Sequence, residues 1–397
     1  MRVRGRWAFA AAGLLALVLI GSGLAATAGH RTAQAKAPII IGWAFDSKGA
    51  MAPFDNPALA AAQLRVAQLN AKGKGRKVQI QTCDTQGNEP ATAKACALRL
   101  LDEKANVLFT TCDVDLAAPV VRAAIDRGVL AIAPCIGTDQ MGPKRFGSRG
   151  RLAFSFGNLA QDEGSAMAQY AWNRGWKTAA LATDTVIVYF NNVVQAFEAR
   201  FKQLGGKIVA KETYQSLGGN NVQNAVSRLN DVKAGVIVTS TAGAFGALST
   251  LLTGLRSLGN NTPVLNSWAG DGTYWLPTNP KVTNYWFLTF ASCFGDDPNP
   301  AVNALAKKIK AGTGGFITGP SAVDGLLIAI KRANGSTKGI ALSKAMEHFK
   351  KVPTISGNVT FSAKLHTVFG RRYRVIRIQN NVPKVVGTIV AKVVPKI

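Results

Sequence analysis

The sequence predicts an α/β protein of two doubly wound parallel-sheet lobes joined by a three-crossing hinge, and three observations carry that expectation. The chain opens in the same way twice. Ile39–Asp46 is an apolar run ending in Asp, followed by the aromatic Phe54, the pair Asp55-Asn56 and a helical pattern that stops at Gly73. Lys177–Asp184 is a second such run, followed by Tyr189, Asn191-Asn192 and a helical pattern that stops at Gly205-Gly206. A strand that ends in Asp and leads past an aromatic into a helix is the start of a βαβ unit, and ligands bind just beyond such strand ends. The second observation is the alternation of strand and helix patterns through both halves, as in a parallel sheet covered on both faces. The third is a set of helical patterns near the C-terminus without strands of their own, which must cover a sheet formed elsewhere.

Along the chain, Asn56-Pro57 reads as N-cap and first helical residue of Ala58–Asn70. Val78–Thr82 is the next strand, Pro90–Glu103 a helix, Val107–Thr111 a strand, Leu116–Arg127 a helix stopped by Gly128, and Val129–Ala133 a strand. Gly142–Gly150 breaks the rhythm, and Arg151–Phe156 reads as a connecting strand. The alternation restarts at the helix Asp162–Arg174, with strands Lys177–Thr183, Lys207–Tyr214, Gly235–Thr239 and Pro263–Ser267. Helices Phe190–Leu204, Val222–Val232 and Phe245–Leu258 separate them. After Tyr285–Phe290 come the helical patterns Ala301–Ala311, Ser321–Ala333 and Ala341–Phe349, placed on the first lobe, and a β-rich tail, Asn358–Val394, returning to the second. Crossings near 152–157, 285–292 and 353–362 give residues 36–154 plus 291–352 as lobe 1 and 155–290 plus 353–397 as lobe 2.

Residues 1–35 read as a signal peptide: Arg2, Arg4 and Arg6, the apolar run Trp7–Ile20, then Ala26-Thr27-Ala28 and Ala33-Gln34-Ala35 as A-x-A cleavage sites. The alternative is an uncleaved anchor over Trp7–Ala28. Either way the remainder is expected in the periplasm or at the cell exterior. Cysteine usage fits that oxidising setting. Of the five cysteines, Cys112 and Cys135 follow neighbouring strands and form the leading disulfide, leaving Cys83 with Cys96; Cys83 with Cys112 is the other pairing. The spacings lack C-x-x-C or a His partner, so no metal site is expected. The net charge of +26, from 47 Lys+Arg against 21 Asp+Glu, is dispersed except in the C-terminal stretch of Arg371, Arg372, Arg374 and Arg377. It reads as a solvated basic face, not as a nucleic-acid surface.

Enzymatic signatures are missing. The three histidines, His30, His348 and His366, are scattered, no GxxxxGK[ST] occurs, and the first strand ends in Asp46 without G-x-G-x-x-G. No cofactor is expected. What stands out instead is a set of polar and aromatic residues just past strand ends: Asp46, Phe54, Asp55, Asp113, Asp115, Cys135, Gly137 and Thr138 in the first lobe, with Asp184, Tyr189, Phe245, Trp268 and Asp271 in the second. The acids Asp46, Asp55, Asp115 and Asp184 read equally as helix caps and turn formers. Large rings in polar loops, as at Phe54, Tyr189 and Trp268, read as walls for a ligand, and Tyr189 and Trp268 are expected to lie outside the core.

With these residues in place, the chain resembles the type I periplasmic solute-binding proteins of ABC importers, in the leucine/isoleucine/valine-binding branch. Ile39–Gly42 with Ala60–Gly73 is similar to the family's opening strand and its helix ending in Gly, Leu130–Pro134 to its "G…i.P" strand, Asp184 to Tyr189 to its "D..YG" loop, and Leu255–Gly259 to its "..R..G" helix end. The resemblance implies a non-enzymatic receptor that clamps a small amino-acid-like or related organic solute between two lobes and presents it to the permease subunits of an importer. It also implies a monomer. A receptor that signals to a membrane partner is the alternative. By position the resemblance implies ligand binding at Phe54, Asp113, Cys135, Gly137, Thr138, Tyr189, Phe245, Trp268 and Asp271. Two departures stand out: Asp113 occupies a place where the family often has a carboxylate-holding serine, and Phe190 follows Tyr189 where the family prefers Gly.

Overall fold

In a computed structural model of the chain, residues 37–218 and 221–396 are described, and the alternation resolves into two sheets that are parallel in their central strands. The leader expected over 1–35 lies outside the described residues. The first half runs β1 (Ile39–Phe45), α1 (Ala52–Ala71), β2 (Val78–Asp84), α2 (Pro90–Asp102), β3 (Val107–Phe109), α3 (Val114–Asp126), β4 (Leu130–Ala133), α4 (Pro143–Phe146) and β5 (Ala153–Asn158). The second half runs α5 (Ala160–Asn173), β6 (Thr178–Asp184), α6 (Val188–Gln203), β7 (Lys207–Tyr214), α7 (Val222–Asn230), β8 (Val236–Ser240), α8 (Ala247–Ser257), β9 (Val264–Asn266) and β10 (Tyr285–Thr289). Three helices follow, α9 (Pro300–Ile309), α10 (Thr318–Arg332) and α11 (Gly339–Glu347). The tail consists of β11 (Val352–Thr354), β12 (Gly357–Val359), β13 (Thr367–Val368), β14 (Tyr373–Gln379) and β15 (Val382–Ile389).

The first sheet has the order β13-β5-β4-β3-β1-β2 and the second β15-β14-β10-β9-β8-β6-β7. Each reverses its winding once, between β1 and β3 in the first and between β6 and β8 in the second. Those reversals open a crevice at the carboxyl ends of the strands, where an open α/β sheet binds ligands. Side-chain alternation divides each strand between two cores. Ile39, Ile41, Trp43, Phe109 and Phe154 pack with residues of α1, α10 and α11, while Ala44, Leu108, Ala131 and Ala133 pack with α2 and α3. The terminal helices α10 and α11 therefore cover the first sheet, as their lack of strands requires. The closeness of α10 to α1 depends on Gly319, where a Cβ would stand 1.9 Å from the carbonyl oxygen of Ala58.

The structure differs from the sequence expectation in three places. Helix α1 starts before Asn56, with Met51 as its N-cap, so Pro57 lies inside the helix. A proline there has no N–H to give to the carbonyl of Pro53, and the Thr313 hydroxyl donates to that oxygen instead at 2.8 Å. The expected connecting strand is β5, a full member of the first sheet paired with β4. Finally, the tail does not pass directly to the second sheet: Val352, Val359, Phe361 and Val368 are in the first sheet's core, and β13 pairs with β5. Only β14 and β15 join the second sheet, antiparallel to β10 and to each other.

Cys83 is bonded to Cys96 and Cys112 to Cys135, with Cα–Cα distances of 5.5 and 4.8 Å, and Cys293 is free. The second bridge joins the ends of β3 and β4 beneath the crevice. Closing a 23-residue separation limits the unfolded chain by about 3 kcal/mol in the chain-entropy account. Cys112→Ala is therefore expected to lower the stability of the oxidised protein by about that amount, measured by urea denaturation. An unchanged midpoint would remove the bridge's structural role.

Candidate functional site

The crevice is built from the two strand reversals inward. At the end of β1, the buried carboxylate of Asp46 accepts the N–H groups of Gly49 (2.7 Å), Met51 (3.0 Å) and Gly87 (3.2 Å), curling the chain so that α1 begins at once. From the first turn of that helix Asp55 reaches back, accepting the N–H of Asp46 at 2.8 Å and of Cys112 at 3.0 Å. Asp55 thereby ties the ends of β1 and β3 together. Burial pushes its carboxyl up to about 8, against the lowering by those two backbone donors. Next to Cys112, Asp113 is the N-cap of α3: its Oδ1 accepts the N–H of Asp115 at 2.8 Å and of Leu116 at 3.1 Å. Burial, reinforced by the neighbouring Asp115 charge, raises the Asp113 carboxyl to about 7. At β6 the arrangement recurs, with Asp184 accepting from the Thr241 hydroxyl at 2.7 Å and the Ser216 N–H at 3.1 Å.

The opposite wall is aromatic. Tyr189 is in the first turn of α6, and its hydroxyl donates to Glu163 Oε2 at 2.6 Å. Glu163 Oε1 accepts the backbone N–H of Trp268 at 2.6 Å, so one buried acid from α5 positions both rings. Burial lifts that acid to about 8. The Trp268 ring stacks on Phe290 with centroids 4.7 Å apart and meets Phe54 of the other lobe edge-on at 4.9 Å. Two hydrogen bonds also span the lobes: Asp115 Oδ2 accepts the N–H of Val188 at 2.9 Å, and the Thr138 hydroxyl donates to Asn192 at 3.1 Å. The cavity left between the walls is ≈ 20 Å³, room for about one water molecule. A larger solute enters only when the walls part.

Of the nine residues that the resemblance implies as ligand-binding, Phe54, Asp113, Gly137, Tyr189 and Trp268 line this cavity together. The other four do not. Cys135 is buried behind it in the bridge to Cys112. Thr138 points to Asn192 at the lobe boundary, and Phe245 packs on Phe190 at 5.8 Å. Asp271 is enclosed by the Thr289 hydroxyl (2.6 Å) and the N–H groups of Gly314 (2.6 Å) and Gly272 (2.7 Å), tying the crossing after β10 to the second lobe. Tyr189 and Trp268 are also not loop residues outside the core, as expected from sequence: both belong to the large buried cluster.

Residues 38–383 match the family described as Periplasmic binding protein. The chain belongs to the periplasmic binding protein family. A comparison with curated proteins finds no match. Among solved structures, the branched-chain amino acid transporter substrate binding protein LivJ from Streptococcus pneumoniae, in complex with isoleucine, is 20% identical with a TM-score of 0.75, covering 89% of this chain and 99% of its own. The leucine binding protein LivK from Thermotoga maritima is 18% identical with a TM-score of 0.74, covering 89% and 99%. A solute binding protein of an ABC transporter from Rhodopseudomonas palustris, in complex with 3,4-dihydroxy benzoic acid, is 17% identical with a TM-score of 0.72, covering 90% and 99%. At these identities the likeness shows that this periplasmic binding protein shares their fold.

Sequence reasoning missed Met51, Ile187 and Phe190 as wall residues of the binding protein, and Glu163 as the acid behind its aromatic wall. Glu163 follows the end of β5. Once that segment is seen as a sheet strand rather than a connector, the rule that picked out Asp113 and Asp184 picks out Glu163 as well. A roomier groove of ≈ 470 Å³ on the outer face of α1, α9 and α10 is lined by Leu64, Arg65, Leu305, Asp324 and Ile355, and shares no lining residue with the crevice cavity. It has no part in the crevice.

Proposed function

We propose that this protein captures a small organic solute outside the cytoplasm, closes its two lobes around it, and delivers it to the permease subunits of an ABC importer. One observation carries the reading: the strand reversals of both sheets face a single aromatic-walled cleft whose walls come from different lobes and touch through Phe54 and Trp268. Such walls suit a compact solute with an apolar body. Isoleucine and 3,4-dihydroxybenzoic acid, the solutes named for two structural neighbours, are of that size and support a ligand of amino-acid-like or aromatic type. The reading needs no reaction at the site. The closed form, read by the membrane partner, is the output.

The test is to denature purified protein, identify the released solute by mass spectrometry, and restore it to the stripped protein. Small-angle scattering is expected to show a smaller radius of gyration with solute than without. A radius unchanged at saturating solute would overturn the clamp.

A further inference from the structure

A carboxylate oxygen of the cleft has no donor from the protein, and its surroundings bear on what answers it. Asp113 is 97% buried, since only 3% of it is exposed, and it lines the cavity. Both of its hydrogen bonds fall on Oδ1, and Oδ2 has no partner among the described residues. Oδ2 is not among the fully enclosed atoms, and a donor on a solute in the cavity that Asp113 lines would answer it. The remaining wall is apolar or aromatic: Phe54, Met51, Ile187 and Phe190, together with Tyr189, whose hydroxyl proton is already given to Glu163, and Trp268, whose buried Nε1–H has no partner among the described residues and suits a neutral acceptor on the same solute.

The charged groups around Asp113 point the same way. No Lys, Arg or His lines the cavity among the described residues. Arg145, whose charge acts on Asp113, is held by Asp115 at 2.6 Å and Gln140 at 3.1 Å, and Asp115 spends its other oxygen on Val188. The other titratable groups facing the site are the acids Asp55, behind Cys112, and Glu163, behind Tyr189 and Trp268. An entering carboxylate finds no cation on the wall and, above about pH 7 where Asp113 ionises, meets its negative charge; an entering ammonium or amidinium meets an acceptor and aromatic rings, whose faces attract cations.

Resting on the solute-receptor reading above, we propose that the solute is an organic cation or strong hydrogen-bond donor, an amine or amidine on a flat apolar body, with its N–H groups on Asp113 Oδ2, and that a bare carboxylic acid is a poor ligand. The test compares benzamidine, benzylamine and phenethylamine with benzoate, isoleucine and the uncharged benzamide by calorimetry on the stripped protein at pH 8, in wild type and Asp113→Asn. Asn caps a helix as well as Asp, so the variant retains the Oδ1 bonds and is expected to fold. The expected result is binding of the cationic series to wild type and a loss of about 10- to 100-fold in Asp113→Asn, the scale of a charge-assisted hydrogen bond, with benzamide changing less than about threefold. Carboxylates that bind and compact the protein while amines do not would overturn the proposal and leave the receptor reading intact. Equal amine affinity in wild type and variant would overturn it as well. Failure of every compound to bind, with no co-purified solute, would remove both.

Discussion

Trp268→Ala is expected to destabilise the protein by about 3–5 kcal/mol, the range for truncating a buried large aromatic, as well as to empty one wall of the cleft. The ring is 4% exposed, is stacked on Phe290, and is in edge contact with Phe54, so its removal leaves a void that touches both lobes. The backbone N–H of Trp268 is also the donor to Glu163, and that bond survives only if the turn keeps its shape. Trp268→Phe separates the two effects: it retains most of the stacking area and is expected to recover the larger share of the stability. Urea denaturation of both variants measures the difference. A loss below about 1 kcal/mol in Trp268→Ala would place the ring outside the core, contrary to its contacts.

That ring illustrates what the sequence can and cannot disclose. Its place just past a strand end was legible because strand patterns and their terminators are local, and the same logic located Phe54, Asp113 and Tyr189. Burial is not local. A tryptophan followed by Ala-Gly-Asp-Gly reads as a loop residue until Phe290 and Tyr189 arrive from other segments. The start of α1 was misread for a related reason: Asn56-Pro57 looks like a cap, but Asp46, nine residues before Asp55, had already collected the N–H groups that set the turn. The tail's double allegiance was hidden because β13 is two residues long and carries no periodicity of its own. Its attachment to β5 depends on His366 and Val368, whose carbonyls accept from Ser155 and Leu159.

The acids around the cleft give the second large expectation, a stability that declines from pH 5 toward pH 8.5. Burial raises the carboxyls of Asp55 and Glu163 to about 8, of Asp113 and Asp271 to about 7, and of Asp162 to about 6. In the unfolded chain these groups ionise near 3.8 for Asp and 4.5 for Glu. Between those limits the folded protein binds more protons than the unfolded one, so unfolding releases protons and stability falls as pH rises. The stabilisation is full below the unfolded values and is lost as pH passes the folded ones. Asp84, Glu89 and Glu198 act in the opposite sense: hydrogen bonds from Ser47, from the Thr92 N–H and from Lys202 hold them below their usual range. Their contribution disappears as pH drops below about 4. The two sets together place the maximum near pH 5. Glu163→Gln keeps an acceptor for the Trp268 N–H and a donor for the Tyr189 hydroxyl oxygen, but cannot ionise. It is therefore expected to flatten the alkaline side of the profile in calorimetric melts between pH 5 and pH 8.5, with its smallest difference from wild type at pH 5. Melting temperatures that rise toward pH 8.5 in both proteins would mean that the cleft acids are ionised when folded, stabilised by partners that their contacts do not include.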